Sequence, residues 1–239
     1  MEELMNYFLP FLSVFLGFLI IILLRPENQR NIKLLLAFSG AFLLAMTVYT
    51  LIPEVFHTQE HLTEEHSHSF GKKIGVWIVL GILLQIILEF FSHGAEHGHM
   101  HKEESALHKS FPWALFISLS IHAILEGFPL HHHHNLVYGI FVHHLPISMV
   151  LSVFFLNSGI GIKRTAIFLI LFALMTPLGA FLATSLPELG KYTIEISSLV
   201  IGIFLHISSV ILFETSESHQ FNIRKLSVII LGFVLAYFF

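Results

Sequence analysis

The sequence contains no cysteine, and only 12% of its 239 residues are charged. Without cysteine the chain can form no disulfide framework, no thiolate metal site and no catalytic thiol. The charged fraction is about half that of an ordinary soluble domain. No dense basic tract is present, which argues against a nucleic-acid partner. Hydrophobic residues make up 55% of the chain, more than a soluble domain of this length could bury.

Apolar segments long enough to cross about 30 Å of hydrocarbon recur between polar interruptions. They are continuous rather than alternating, and lipid requires each backbone amide to be satisfied within its own segment, so we expect helices. We predict an all-α membrane protein that forms a single polytopic domain over residues 1–239. Its eight predicted transmembrane helices are residues 4–24, 32–56, 74–91, 111–130, 136–156, 166–184, 194–213 and 226–239.

The distribution of Lys and Arg between these segments predicts their orientation. With the N-terminus outside, nine basic residues fall in inner loops and three in outer loops. We therefore expect both termini on the extracytoplasmic side of the cell membrane, which is the inner membrane if the source is bacterial. No basic residue precedes the first apolar segment and no A-x-A site follows it, so we expect it to remain as a helix rather than be cleaved as a signal peptide.

The chain has 18 histidines, and imidazole is the commonest side-chain ligand for transition metals. Many lie in a predicted outer loop, residues 57–70, and in a predicted cytosolic loop, residues 92–110; another run occupies 131–134. Such tracts bind metal ions loosely, because flexible chain must be ordered around the ion. The alternative is a solvated loop of biased composition.

Four titratable side chains fall inside the fourth and fifth apolar segments, where burial of such groups is costly. His122 and Glu126 are four residues apart and share one helical face. His143 and His144 precede Pro146, which removes a backbone amide and is expected to widen the space beside them. Two imidazoles and a carboxylate suit zinc and, with less preference, iron, cobalt or manganese. The alternative for a single intramembrane histidine is a hydrogen bond to a neighbouring helix, which is our expectation for His206.

The layout of spans and motifs resembles the ZIP family of zinc and iron transporters over most of the chain. His122-Ala123-x-x-Glu126-Gly127 is similar to the fourth-helix signature of that family, and His143-His144-Leu145-Pro146 to the start of its fifth-helix signature. Residues 39–44, 51–54 and 175–180 are similar to parts of its second and sixth helices. The resemblance implies transport of a divalent metal ion, zinc first, toward the cytosol.

The family builds a two-metal centre, and this chain departs from it. Ala123 stands in place of an Asn, Ile147 of a bridging Glu, Ser148 of a Gly and Thr176 of a Glu. The resemblance implies that His122, Glu126 and His143 keep one metal position, while His144 has the place of a ligand to the other. We therefore predict these four residues as metal ligands of a mononuclear variant.

The expected partners are divalent metal ions and the lipid bilayer, with a homodimer left open. We expect a transporter rather than an enzyme. One alternative is a metal-binding homologue that senses rather than carries, because the bridging glutamate is missing. Another is an intramembrane zinc hydrolase, against which stands the absence of an H-E-x-x-H helix. A weaker candidate site is the pair Glu89 and His93, at the inner end of the third span.

Overall fold

A computed structural model describes residues 2–24, 29–57, 64–92, 113–131, 135–157, 159–214 and 223–239. Regular secondary structure in these ranges is helical, without a strand, so the predicted all-α fold is confirmed. A π-helical segment (Thr47–Leu51) links α2 to α3, and a 3₁₀ segment (Phe128–His131) follows α5. The helices are α1 (Glu2–Leu24), α2 (Gln29–Met46), α3 (Ile52–His57), α4 (Glu64–Ser92), α5 (Trp113–Gly127), α6 (Leu136–Asn157), α7 (Ile162–Ala173), α8 (Met175–Ser185), α9 (Pro187–Gly190), α10 (Thr193–Glu214) and α11 (Ile223–Ala236).

Within the described ranges, seven stretches are long and apolar enough to cross a membrane. They agree with the first seven predicted spans to within about four residues at each end, and they are Leu4–Leu24, Asn31–His57, Phe70–Phe91, Trp113–Leu130, Leu136–Asn157, Ile162–Ser185 and Thr193–Phe213. Large apolar side chains cover the outside of these helices, with Val79 63% and Phe90 76% exposed. Length, composition and exposed apolar surface together are those of a multi-pass membrane protein.

Parts of the predicted histidine-rich tracts lie outside the described residues, namely 58–63, 93–110 and 132–134. The predicted outer loop is shorter than 57–70, because α4 already begins at Glu64. His93 falls outside the described residues, so the predicted pairing of Glu89 with it stays a prediction.

The second span changes its helix type near its C-terminal end. Pro53 has no amide hydrogen, so the carbonyl of Tyr49, four residues earlier, receives no α-helical bond from it. The Thr47 hydroxyl donates to the carbonyl of Leu43 at 2.8 Å, a bond that competes with the main-chain ladder. The amide of Ile52 then bonds to the carbonyl of Thr47, five residues back. The π segment therefore ends two residues before the proline.

Proline also divides the sixth span, but it leaves the fifth span continuous. Pro177 cannot donate to the carbonyl of Ala173, and the chain forms two helices, α7 and α8, that meet at Leu174. Pro146 has the same chemistry within α6, yet α6 runs unbroken from Leu136 to Asn157. The sequence did not distinguish these two outcomes.

Helices α4 and α10 pack side by side in the same direction, since Lys73 contacts Glu195 near their starts and Glu89 contacts His206 further along both. A methyl group on Gly81 would lie 2.0 Å from the carbonyl oxygen of Leu199, and one on Gly202 would lie 2.0 Å from that of Ile78. Small residues at such a contact let two helix backbones approach each other. A second group of helices, α1, α5, α6, α7 and α8, encloses the polar residues of the predicted metal site.

Candidate metal centre

Helix α5 carries the first two residues of the centre on one face. His122 and Glu126 are one helical turn apart, and both are buried, with 1% and 0% of their surface exposed. The Nε2 atom of His122 lies 3.3 Å from the Oε2 atom of Glu126. The i, i+4 spacing in the sequence therefore becomes a direct side-chain pair within an apolar helix.

Helix α6 supplies two adjacent histidines, which are also buried. Consecutive residues of an α-helix project about 100° apart, so the two rings approach α5 from different directions. The rings of His143 and His122 are 6.2 Å apart between centroids. The Nε2 atom of His144 contacts the Oε1 atom of Glu126, and its ring packs 5.4 Å from that of Phe172.

His122, Glu126 and His143 form a group that could hold a metal ion. Each offers one ligand atom, and these three atoms lie within 4.8 Å of one another. A tetrahedral ion with bonds of about 2.0–2.1 Å separates its ligand atoms by about 3.4 Å, and the distance of 3.3 Å between His122 Nε2 and Glu126 Oε2 is close to that value. The predicted ligands from two helices are thus brought together.

The two oxygens of Glu126 face different neighbours. Oε2 lies 3.3 Å from the Nε2 atom of His122, a residue of the metal-compatible group. Oε1 contacts His144 and accepts a hydrogen bond from the hydroxyl of Thr176, with 3.1 Å between the two oxygens. Thr176, only 1% exposed, was noted in the sequence only as a departure from the ZIP pattern. No signal in its immediate sequence identifies it as a contact of Glu126.

A close helix contact brings Thr176 to this position. A methyl group on Gly127 would lie 2.2 Å from the carbonyl oxygen of Thr176, and one on Gly179 would lie 2.0 Å from that of Ile124. Because neither glycine has a side chain, α5 and α8 can meet backbone to backbone. The hydroxyl of Thr176 can therefore reach the carboxylate of Glu126, the residue that precedes Gly127 on α5.

Two of the residues that depart from the ZIP pattern lie in apolar packing. Ala123 and Ile147 belong to one buried cluster, in which they pack with Leu119, Leu151 and Phe172 among others. Neither side chain has a donor atom for a metal ion.

Other polar residues of the predicted spans lie away from the centre. The Nε2 atom of His206 lies 2.8 Å from the Oε2 atom of Glu89 on α4, in agreement with the predicted interhelical bond. Glu54, near the C-terminal end of the second span, is exposed. Gln85, one turn before Glu89, is fully buried, and neither atom of its amide has a hydrogen-bond partner in the described part of the chain. The sequence reasoning had not singled out Gln85.

Comparison of the chain with family models and with curated proteins finds no match.

Proposed function

We propose that this protein carries a divalent transition-metal ion, zinc first, across the membrane toward the cytosol, as a divergent member of the ZIP family. The observation that carries the proposal is the convergence of His122, Glu126 and His143 inside a bundle of membrane-spanning helices. Burying a carboxylate and two imidazoles at this depth is costly. A bound cation offsets that cost, because its positive charge compensates the carboxylate and it accepts the lone pairs of the imidazole nitrogens.

The ligand set suits an ion that must be released as well as captured. Two neutral imidazoles and one carboxylate neutralise only one of the two positive charges of the ion. Three protein ligands also leave a coordination position for water, so the ion need not lose its whole hydration shell. Both features limit affinity, as passage through a membrane site requires. The direction toward the cytosol follows from the family resemblance.

The proposed topology has eight spans with both termini outside. The contacts of α11 support it as the eighth span. Near its start, the Nζ atom of Lys225 donates to the carbonyl of Leu212, near the end of α10, at 2.7 Å. Beyond the C-terminal end of α11, the backbone carbonyl of Phe239 contacts the side-chain amide of Asn135, next to the start of α6. Residues 223–239 would extend about 25 Å if helical throughout, close to the thickness of the hydrocarbon layer.

An intramembrane zinc hydrolase is the second candidate, because three protein ligands and an open position also describe catalytic zinc sites. Such an enzyme needs a base beside its zinc-bound water. Among the residues whose burial is described, Glu126 is the only buried carboxylate. Once Glu126 binds the ion, no second buried carboxylate remains among these residues to accept the proton. Transport therefore ranks first.

Zinc uptake into proteoliposomes that contain a zinc-sensitive dye tests the proposal. The isosteric variant Glu126→Gln should reduce uptake to the level of protein-free vesicles, because it removes the only negative ligand. Glu188→Gln makes the same chemical change at a side chain that is 81% exposed, and should transport as the unmodified protein does. Undiminished uptake by Glu126→Gln would refute the proposal. Zinc binding without uptake by the unmodified protein would favour the sensing alternative.

A further inference from the structure

From these contacts we infer that His144 and Thr176 are positioning residues, which hold Glu126 in the orientation that binds metal, and that His144 is not itself a ligand. The inference rests on the proposed metal site. It revises the expectation from the sequence, in which His144 was a ligand. Three observations support it: the direction of His144, the occupation of one carboxylate oxygen, and the apolar side chains of Ala123 and Ile147 where the ZIP pattern has polar residues.

The first observation is the direction in which the side chains of His143 and His144 extend from α6. His143 extends from α6 toward His122 and belongs to the metal-compatible group of three. His144 is the next residue on the same helix and reaches the opposite oxygen of Glu126, with Phe172 packed against its ring. Among the described residues, the group whose ligand atoms lie within 4.8 Å of one another does not include His144. One ion held by the other three therefore leaves His144 outside its coordination sphere.

The second observation is the division of the carboxylate. Oε1 of Glu126 has two neighbours that can donate to it, the Nε2–H of His144 and the hydroxyl of Thr176. Oε2 is directed to the side where His122 lies. Two donors on one oxygen fix the rotation of the carboxyl group and reserve the other oxygen for the ion. Partners of this kind orient ligands in metal sites, and their loss commonly costs 10–100-fold in metal affinity.

The third observation is the apolar character of two positions at which the ZIP pattern has polar residues. A second ion that used Oε1 would need further ligands, but Ala123 and Ile147 have no donor atom and lie within an apolar cluster. The contacts of His144 and Thr176 with Oε1 thus occupy the place that a second ion would need. Glu126 serves one ion, and its other oxygen is satisfied by the protein itself.

Titration of the purified full-length protein with Co²⁺, followed by its visible absorption, separates ligands from positioning residues. The spectrum of the saturated protein reports the atoms bound to the ion, and the titration curve gives the affinity. His143→Ala removes a ligand and should change the saturated spectrum. His144→Gln, whose amide can still donate to Oε1 but lacks an imidazole, should keep the spectrum with a smaller loss of affinity than His144→Ala.

Thr176 provides an independent pair of variants. Thr176→Val removes the hydroxyl at nearly constant volume, and should weaken Co²⁺ binding by about 10–100-fold with an unchanged saturated spectrum. Thr176→Ser restores a hydroxyl and should recover most of that loss, which a purely steric role would not explain. This pair keeps the inference testable if the His144 variants do not fold.

The outcomes separate the inference from the proposed function. If the unmodified protein binds no Co²⁺, the proposed metal site fails, and the inference fails with it. If it binds Co²⁺ but His144→Gln changes the spectrum as His143→Ala does, His144 is a ligand; the inference is then overturned while the metal site stands. Unchanged affinity in both His144→Ala and Thr176→Val would also overturn it.

Discussion

Gly127 on α5 and Gly179 on α8 face each other so closely that a Cβ atom on either would lie 3.1–3.2 Å from the Cα atom of the other. This contact fixes the distance between the helix that carries His122 and Glu126 and the helix that carries Thr176. The geometry of the candidate centre therefore depends on two residues that have no side chain and bind nothing.

Gly179→Ala should weaken both the fold and the metal site. The new methyl group would meet the carbonyl of Ile124, so α8 must move away from α5, at a cost of about 1–3 kcal/mol. Because Thr176 moves with α8, zinc affinity should fall as well. Thermal unfolding of the detergent-purified protein and zinc titration measure the two effects.

Two other glycines of the chain provide the controls. Gly202→Ala makes an equally close contact between α10 and α4, away from the centre, and should lower stability without lowering zinc affinity. Gly75→Ala has nothing within 4 Å of the added group and should not destabilise the protein, since Ala is the better helix former. Equal zinc affinity in the Gly179→Ala and Gly75→Ala variants would show that the contact between α5 and α8 does not influence metal binding.

The topology can be tested directly because the chain has no native cysteine. Lys72→Cys and Lys163→Cys each place one thiol at an exposed position. We expect a membrane-impermeant maleimide, added outside intact cells, to label the first and not the second. Inverted vesicles should give the reverse result. Labelling of both positions from the same side would contradict the proposed orientation.

The ligand set also predicts which ions compete with zinc. Imidazole nitrogens favour Co²⁺, Ni²⁺, Cu²⁺ and Zn²⁺, whereas Mg²⁺ and Ca²⁺ require sets of oxygen ligands. Zinc uptake should therefore fall when Co²⁺ or Ni²⁺ is added, and should remain constant in a large excess of Mg²⁺. Inhibition by Mg²⁺ at concentrations comparable to zinc would indicate an oxygen-rich site elsewhere.

The pair Glu89 and His206 should stabilise the contact of α4 with α10 without contributing to metal binding at the centre. A double-mutant cycle with Glu89→Gln and His206→Gln should give a coupling energy of about 0.6 kcal/mol, the average for polar pairs between membrane helices, and at most about 1.7 kcal/mol. Lys191 and Glu188, an exposed pair at 2.7 Å, should give a coupling close to zero. A coupling near zero for Glu89 and His206 would show that this pair does not stabilise the contact between α4 and α10.

Much of the helical layout could be read from the sequence, because each membrane-crossing helix needs about 20 apolar residues and this requirement is local. The pairing of His122 with Glu126 was equally accessible, since both lie on one helix at a fixed spacing. The contact of Thr176 with Glu126 was not, because it joins residues 50 positions apart and depends on how closely α5 meets α8. The different effects of Pro146 and Pro177 on their helices also depend on tertiary packing, which residue patterns do not encode.

The interruption of the sixth span at Leu174 has a mechanical consequence. The carbonyl of Ala173 receives no bond from Pro177, so one helical hydrogen bond is missing where the two halves of the span meet. The half that contains Phe168 and Phe172 is anchored in an apolar cluster, whereas Thr176 lies just past the joint. A small rotation of α8 about this point would lengthen or break the hydrogen bond from Thr176 to Glu126, while α7 stays in place.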